Sequence, residues 1–350
     1  MPRAALAFSV TSLLPVPLLG LAVFLGGIWP WLALIYLTVF TFAMDELIAV
    51  AAPGGARDQE FPAGDRLSIA LAVSHFGLLA LVVWAFGGGV DLGIGQAVAL
   101  FLATGLFFGQ VSNSNAHELI HRSQRRLFRL GRWVYISLLF GHHCSAHPLV
   151  HHPLVASDRD PNSARQGESY YRFARRAWIG SFRAGYRAEG ARMTGRPFYA
   201  HPYLTYFAGA AAVIALALQI GGWSGLAVLF GLAIHAQSQL LLSDYVQHYG
   251  LRRQKLADGR LEPVADRHSW NAPHWFSGHL MLNAPRHSDH HAHPARAFAD
   301  LSLPAPDTAP TLPYSLPAMS VLALFPAVWA RVMDPRLAQW QDRGPQDQAA

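Results

Sequence analysis

The chain has 350 residues, of which 52% are hydrophobic and only 14% charged, a balance too apolar for an ordinary soluble domain and one that marks an integral membrane protein. Its single cysteine, Cys144, excludes a disulfide framework and a Cys₄ zinc or iron–sulfur site, so any electrons it uses must come from elsewhere. The formal net charge of +6 is read as topology-setting, solvated charge, with a docking face for an acidic protein as the sharper alternative; no nucleic-acid partner is expected.

Apolar runs of about 20 residues, enough to cross roughly 30 Å of hydrocarbon as a helix, recur six times, over 6–27, 28–50, 67–86, 92–111, 203–220 and 223–242. Arg3 precedes the first run in the manner of a secretory signal. No small-residue cleavage site follows and the next run begins at once, so the segment is expected to be retained. The turns near Gly26-Gly27, Gly87 to Asp91 and Gly221-Gly222 carry no basic residue, whereas arginines crowd between Arg122 and Arg196 and between Arg252 and Arg296. Basic flanks stay on the cytoplasmic side. The expected fold is an all-α integral membrane protein, one membrane domain over 1–350, with six transmembrane helices and a cytoplasmic histidine-rich cap formed by 112–202 and 243–350. The expected location is the inner membrane. The apolar stretch Leu316 to Trp329 is too short to cross and is expected to pack on the cytoplasmic face or lie at the interface.

Most of the eighteen histidines fall on the cytoplasmic side of these spans. "HELIH" places His117 and His121 four apart, on one face of the helical extension of the fourth span. "HPLVHH" follows, with His147, His151 and His152. His248 lies just past the sixth span in "DYVQHYGL", and "RHSDHH" sets His287, His290 and His291 at i, i+3 and i+4. A lone pair, or His248 alone, would read as packing or surface. Four groups on one side of one membrane read as a site, and nine imidazoles exceed what one four- to six-coordinate ion uses, so two metal ions are inferred.

"HELIHR", "HPLVHHPLVASDRDPNSARQGES", "YVQHYGL" and "RHSDHHAHPAR", in this order and with a late "VMDPR", resemble the integral-membrane alkane 1-monooxygenases and the xylene monooxygenase hydroxylase subunits, within the membrane fatty-acid desaturase and hydroxylase superfamily. The resemblance implies a non-haem di-iron centre held by His117, His121, His147, His151, His152, His248, His287, His290 and His291. It also implies insertion of one atom of O₂ into a terminal or benzylic methyl group of an alkane or alkyl-aromatic, giving the primary alcohol. Electrons would come from a rubredoxin or ferredoxin and its NAD(P)H-dependent reductase. Asp160, Arg165, Glu168 and Asp289 match polar positions of the motifs and are expected to orient ligands or anchor the cap. A zinc peptidase would use Glu118 as general base and need one further ligand, with no use for seven more histidines. Glu118 is therefore expected to orient a ligand imidazole. The competing readings are a fatty-acyl desaturase or hydroxylase of the same superfamily and, in another class, a histidine-rich metal transporter.

Two places depart from the family pattern, each at two residues. Gln247 stands where Glu is usual, with Asp244 where Asn is common, and Asn283 and Pro285 precede the last motif. His142 and His143 fall outside the pattern and are expected to be structural, while His274 and His279 are candidates for supporting the site. His75 and His235, within spans, are expected chiefly to make interhelical hydrogen bonds. Asp45 and Glu46 are read as marking the interface.

Overall fold

The computed structural model describes residues 3–48 and 63–342; the end of the second expected span, at 49–50, and the polar tail beyond 342 lie outside the described residues. Among the described residues the structure is helical, and the only β-type pairings are the isolated bridges Lys255 with Leu261 and Asn271 with Thr311. Five helices are long and apolar enough to cross a membrane: α1 (Ala5–Leu25), α2 (Trp29–Leu47), α3 (Gly64–Gly89), α4 (Ile94–Ile120) and a last one, Pro202–His248, of 47 residues. Their outer faces expose Phe24, Val39, Val73, Leu216 and Ile234. Apolar outer faces on helices of this length suit contact with lipid.

The cap helices are α5 (Arg125–Ser137) and α6 (Tyr170–Arg192), followed in the chain by the long α7 (Pro202–His248). Beyond it come the short α8 (His287–Ala292), α9 (Leu316–Ala323) and α10 (Pro326–Asp342). One apolar core runs through the spans, around Leu71, Leu100, Phe107, Phe108 and Leu229. A second lies in the cap, around Tyr245, Tyr249, Trp270, Met319 and Trp329. Side chains cross between helices where the backbone needs them: Asn113 donates to the Ala236 carbonyl at 2.8 Å, Asn115 to Ser68 at 2.9 Å and Gln237 to Leu138 at 2.8 Å.

Proline at its first position, with the His201 ring accepting from the Tyr203 N–H, starts α7. It does not continue as a rod. Gly222 sits at φ 58, ψ −153, a region open essentially to glycine alone. Beyond it the chain folds back: a Cβ on Gly225 would lie 3.2 Å from the Ala217 carbonyl, whereas eight residues of unbroken helix span about 12 Å. The two arms of this hairpin coincide with the apolar runs at 203–220 and 223–242.

Glycines also set the depth of two contacts. A Cβ on Gly221 would come within 2.4 Å of the Val83 carbonyl, which fixes the α7 hairpin against the end of α3. A Cβ on Gly131 would meet the Ala116 carbonyl at 2.9 Å and Leu119 at 2.7 Å, so α5 lies flat on the end of α4 and holds its last turn in place. We expect Gly221→Val, a small-to-large change with backbone on the other side, to destabilise the protein by about 1–3 kcal/mol. Thermal unfolding in detergent reads this, and an unchanged midpoint would show that the hairpin tip is free to move away from α3.

Candidate metal centre

The last turn of α4 carries His117 and, at its C-terminal end, His121. Residues 143–154 form a second helical run, and between His147 and His151 it is wound as a wide turn in which the His152 N–H bonds the His147 carbonyl, five residues back. That winding has a stereochemical result. His147 and His152 come to share one side of the run, and His151 is turned to the other. In α8 the same division occurs: His287 and His291, four apart, face one way and His290 the other. His248 is the last residue of α7.

Two groups result. His117, His121, His147, His152 and His290 form one, and His151, His248, His287 and His291 the other; within each group the ligand-capable nitrogens all lie within 4.8 Å of one another. In the first, the Nε2 of His147 is 2.7 Å from that of His117 and 2.9 Å from that of His152, which is 3.2 Å from that of His290. In the second, the Nε2 of His287 is 3.0 Å from that of His248 and 3.1 Å from that of His291.

Hydrogen bonding does not satisfy this arrangement. A neutral imidazole nitrogen donates one bond or accepts one, yet the Nε2 atoms of His147, His152 and His287 each face two others. The Nε2 atoms of His121 and His151 are buried with no partner at all. Ligand nitrogens at about 2.1 Å from a shared ion, at right to tetrahedral angles, lie about 3.0–3.4 Å apart. The closest pairs at 3.0–3.2 Å match that range and those at 2.7 and 2.9 Å fall below it, and every other pair within a group lies within 4.8 Å. The donor set, all imidazole and without thiolate, suits iron, zinc, copper or nickel.

The electrostatics keep the rings in the form a metal requires. Burial, reinforced by mutual repulsion among the rings, holds His147, His152, His287, His290 and His291 well below the usual histidine range, and takes His121 down to about 4. His151 differs. Burial opposes its protonation, but the charge and hydrogen bond of Asp160, with Asp244 adding to them, raise its pKa.

The polar residues around the groups divide by what they touch. Asp160 Oδ2 accepts from His151 Nδ1 at 2.8 Å, which fixes the tautomer and leaves Nε2 for the second group. Asp160 is itself held by the Asn162 N–H at 3.0 Å and the Ser163 hydroxyl at 2.6 Å, and the Asn162 amide reaches Asp244 at 2.6 Å. Glu118 bonds no imidazole. It accepts from Arg122 at 2.7 Å and from the Phe298 N–H at 3.3 Å, tying the end of α4 to the segment after α8. Asp289 accepts from Arg296, from the Ser302 N–H at 2.7 Å and from His293 at 2.8 Å, and so pins α8. Glu168 accepts from Arg176 and from the Arg165 N–H at 3.1 Å, closing the loop before α6. Gln247 donates to the Ala284 carbonyl at 3.0 Å and accepts from Ser243 at 2.7 Å.

Of the remaining histidines, His75 bonds Ser137 at 2.8 Å between α3 and α5, and His279 donates to the Trp275 carbonyl at 2.7 Å. His142 lies 3.4 Å from the Ser181 hydroxyl. Asp45 is more than an interface marker: it is buried and accepts from the Ser277 N–H at 2.9 Å, joining α2 to the segment that leads to α8.

A cavity of about 210 Å³ opens from His117, His147 and His287 toward the spans. Along α4 its wall runs from His117 back to Leu106, about 16 Å of helix. The opposite wall is α7, from His235 to Gln247, and α9 closes the side with Leu316, Ser320 and Val321. The residues of α9 do not announce this use, because an apolar stretch of that length carries no mark of what it faces. His143, also unassigned from the sequence, lines the cavity beside His147.

The family model described as fatty acid desaturase matches residues 94–323. The chain is 32% identical to an alkane 1-monooxygenase of Pseudomonas putida over 285 residues, 76% of this chain and 66% of that protein. It is 32% identical to alkane 1-monooxygenase 1 of Pseudomonas aeruginosa over 272 residues, 74% of this chain and 69% of that protein. It is also 26% identical over 334 residues to the xylene/toluene monooxygenase hydroxylase component XylM of Pseudomonas putida, 91% of this chain and 85% of that protein. The chain thus spans a little under two thirds of the length of the Pseudomonas putida alkane 1-monooxygenase.

Asp160→Asn keeps the volume and removes the charge that orients His151. We expect metal affinity at the second group to fall roughly 10–100-fold while the first group retains its ion, read as metal per protein after dialysis against graded chelator. Equal retention in both proteins would show that packing alone orients His151.

Proposed function

Since the chain belongs to the fatty acid desaturase family, in its alkane 1-monooxygenase branch, we propose that it is a non-haem di-iron monooxygenase that hydroxylates a terminal or benzylic methyl group of an alkane or alkyl-aromatic to the primary alcohol. One observation carries this reading: two groups of buried and half-buried imidazoles stand at the head of a cavity that runs between membrane-spanning helices. His117, His121, His147, His152 and His290 would hold one iron, and His151, His248, His287 and His291 the other. When bound, the irons supply activation of O₂, with one oxygen atom entering the methyl C–H bond, the other leaving as water, and two electrons and two protons consumed.

The chain's own residues do the rest. Asp160 orients His151, Asp289 and Glu118 hold α8 and the end of α4 in register, and Gln247 ties α7 to the turn before His287. The walls exclude water and receive the substrate from the bilayer, where an apolar molecule concentrates by partition. Cys144 is the sole cysteine and it is buried. The described residues thus hold no thiolate cluster, and a rubredoxin or ferredoxin with its NAD(P)H-dependent reductase delivers the electrons, the arginine-rich cap offering an acidic carrier its docking face.

The α7 hairpin supports counting its arms as two spans, six in all within one membrane domain. An even count puts both chain ends on one side, and the arginine distribution makes that side cytoplasmic, with the cap facing the cytoplasm from the inner membrane.

Whole cells expressing the chain with a rubredoxin and reductase, fed octane, hexadecane or p-xylene under ¹⁸O₂, should release ¹⁸O-labelled primary or benzylic alcohol. His290→Ala should abolish it, and the purified wild type should hold two irons. Absence of labelled product from all three substrates, with iron bound and the carrier working, would overturn the monooxygenase reading in favour of acyl-chain chemistry.

A further inference from the structure

We propose that the outer face of α6 is a binding site for anionic phospholipid, its arginines holding headgroup phosphates of the leaflet on the cap side. The inference rests on the reading of the long apolar helices as membrane spans and is independent of the monooxygenase chemistry.

Along α6 six arginines stand against one acidic residue, Glu189. Two of the six are paired, Arg176 with Glu168 at 2.7 Å and Arg192 with Glu189 at 4.0 Å. Arg172, Arg175, Arg183 and Arg187 are exposed and have no ion pair among the described residues. Three of these four are gathered in one place. Arg172, Arg175, Arg176, Ile179, Gly180 and Arg183 recur at i, i+3, i+4, i+7, i+8 and i+11, one side of a helix, and together they line an open groove of about 470 Å³. The opposite side, with Phe173, Ala177, Ser181 and Gly185, is buried in the protein.

The occupant follows from where the helix lies. The Tyr203 hydroxyl, at the start of the first arm of α7, donates to the Phe182 carbonyl at 2.8 Å. The Trp178 indole donates to Gln237 at 2.8 Å and the Tyr170 hydroxyl to the Ser238 carbonyl at 2.9 Å, both near the end of the second apolar run. At about 34 Å long, α6 therefore lies across the ends of both arms, at the level where they leave the hydrocarbon. Its flank toward α7 and the end of α9 exposes aromatic rings: Tyr171 donates to the Leu324 carbonyl at 2.9 Å and is still 58% exposed, and Trp178 is 40% exposed. Phe198 and Tyr199, in the turn that leads into α7, are 82% and 71% exposed. Tryptophan and tyrosine concentrate at the headgroup level of a bilayer, while arginine lays its stem along apolar surface and binds phosphate through two N–H groups. A water-soluble acidic carrier has no use for bare aromatics beside the spans. An arginine groove flanked by such rings at the membrane boundary fits a lipid phosphate.

The test places the full-length protein in nanodiscs of phosphatidylcholine with or without phosphatidylglycerol, and reads the lipid retained by mass spectrometry and the thermal unfolding midpoint. Phosphatidylglycerol should be enriched on the wild type and should raise its midpoint at low salt. Arg172→Gln/Arg175→Gln/Arg183→Gln should weaken phosphatidylglycerol binding by roughly fivefold per arginine removed and cancel its stabilisation, with the midpoint in phosphatidylcholine unchanged. Arg172→Lys/Arg175→Lys/Arg183→Lys keeps the charge and should keep most of the preference, which separates loss of the site from damage to the helix. Arg159→Gln/Lys255→Gln/Arg260→Gln takes the same charge from exposed loops of the cap and should leave the preference intact. Equal enrichment on the wild type and the α6 glutamine variant, or equal loss in the loop variant, would overturn the inference. So would inorganic phosphate that stabilises the wild type in phosphatidylcholine as strongly as phosphatidylglycerol does. A raised KM for the reduced carrier in the α6 glutamine variant, with lipid enrichment unchanged, would assign the face to the carrier and overturn the inference as well. The lipid measurements need no turnover, so their outcome is separate from that of the hydroxylation assay.

Discussion

Nine imidazoles are clustered here so that seven face one another at hydrogen-bond distances that hydrogen bonds cannot all satisfy, while the Nε2 atoms of His121 and His151 are buried without a partner. This is the constraint on which the cap is built. Without an ion, the clustered lone pairs repel and several buried nitrogens go unpaired; with protons, the rings would repel as cations in a medium that screens them poorly. A cation shared within a group would remove both problems. The surroundings are consistent with it: burial that lowers the basicity of most of the rings, a wide turn that divides adjacent histidines between two groups, and Asp160 placed behind His151 and not among the ring nitrogens.

Much of this was legible in the sequence because it follows helical spacing. His117 with His121, and His287 with His291, are four apart and share a side, as any helix requires. The division into groups was not legible. Along "HPLVHH" regular winding pairs His147 with His151, but the wide turn pairs His147 with His152 and sends His151 across to His248. Nothing in the residue types announces that extra residue per turn. It shows only in the fold, where His151 packs against His248 and His291 and His152 packs against His121 and His290.

The spans show the same division between local and tertiary information. Length and hydropathy located the apolar runs, and Gly221-Gly222 read correctly as a turn. The glycines of α4 could not be interpreted from their own segment, since Gly105 and Gly109 are explained by His235 and Gln239 arriving from α7. In the same way the carboxylate of Asp45 is explained by a backbone N–H more than two hundred residues away, and α9 by the cavity it covers.

The two departures on α7 show how the cap distributes charge. Asp244 and Gln247 are one turn apart and face different tasks. Gln247 spans two neutral partners, the Ser243 hydroxyl and the Ala284 carbonyl, using its amide as donor to one and acceptor from the other; a carboxylate at this place would meet the Ala284 oxygen without a proton to offer. Asp244 faces the Asn162 amide, which is positioned beside Asp160, which in turn holds His151. Negative charge is therefore kept on the side of the second group where it steadies a ring through its far nitrogen, and withheld from the side where it would face a carbonyl. Within this chain the pair is self-consistent: the glutamine is a strut, and the aspartate one turn before it adds to the charge that Asp160 sets beside His151.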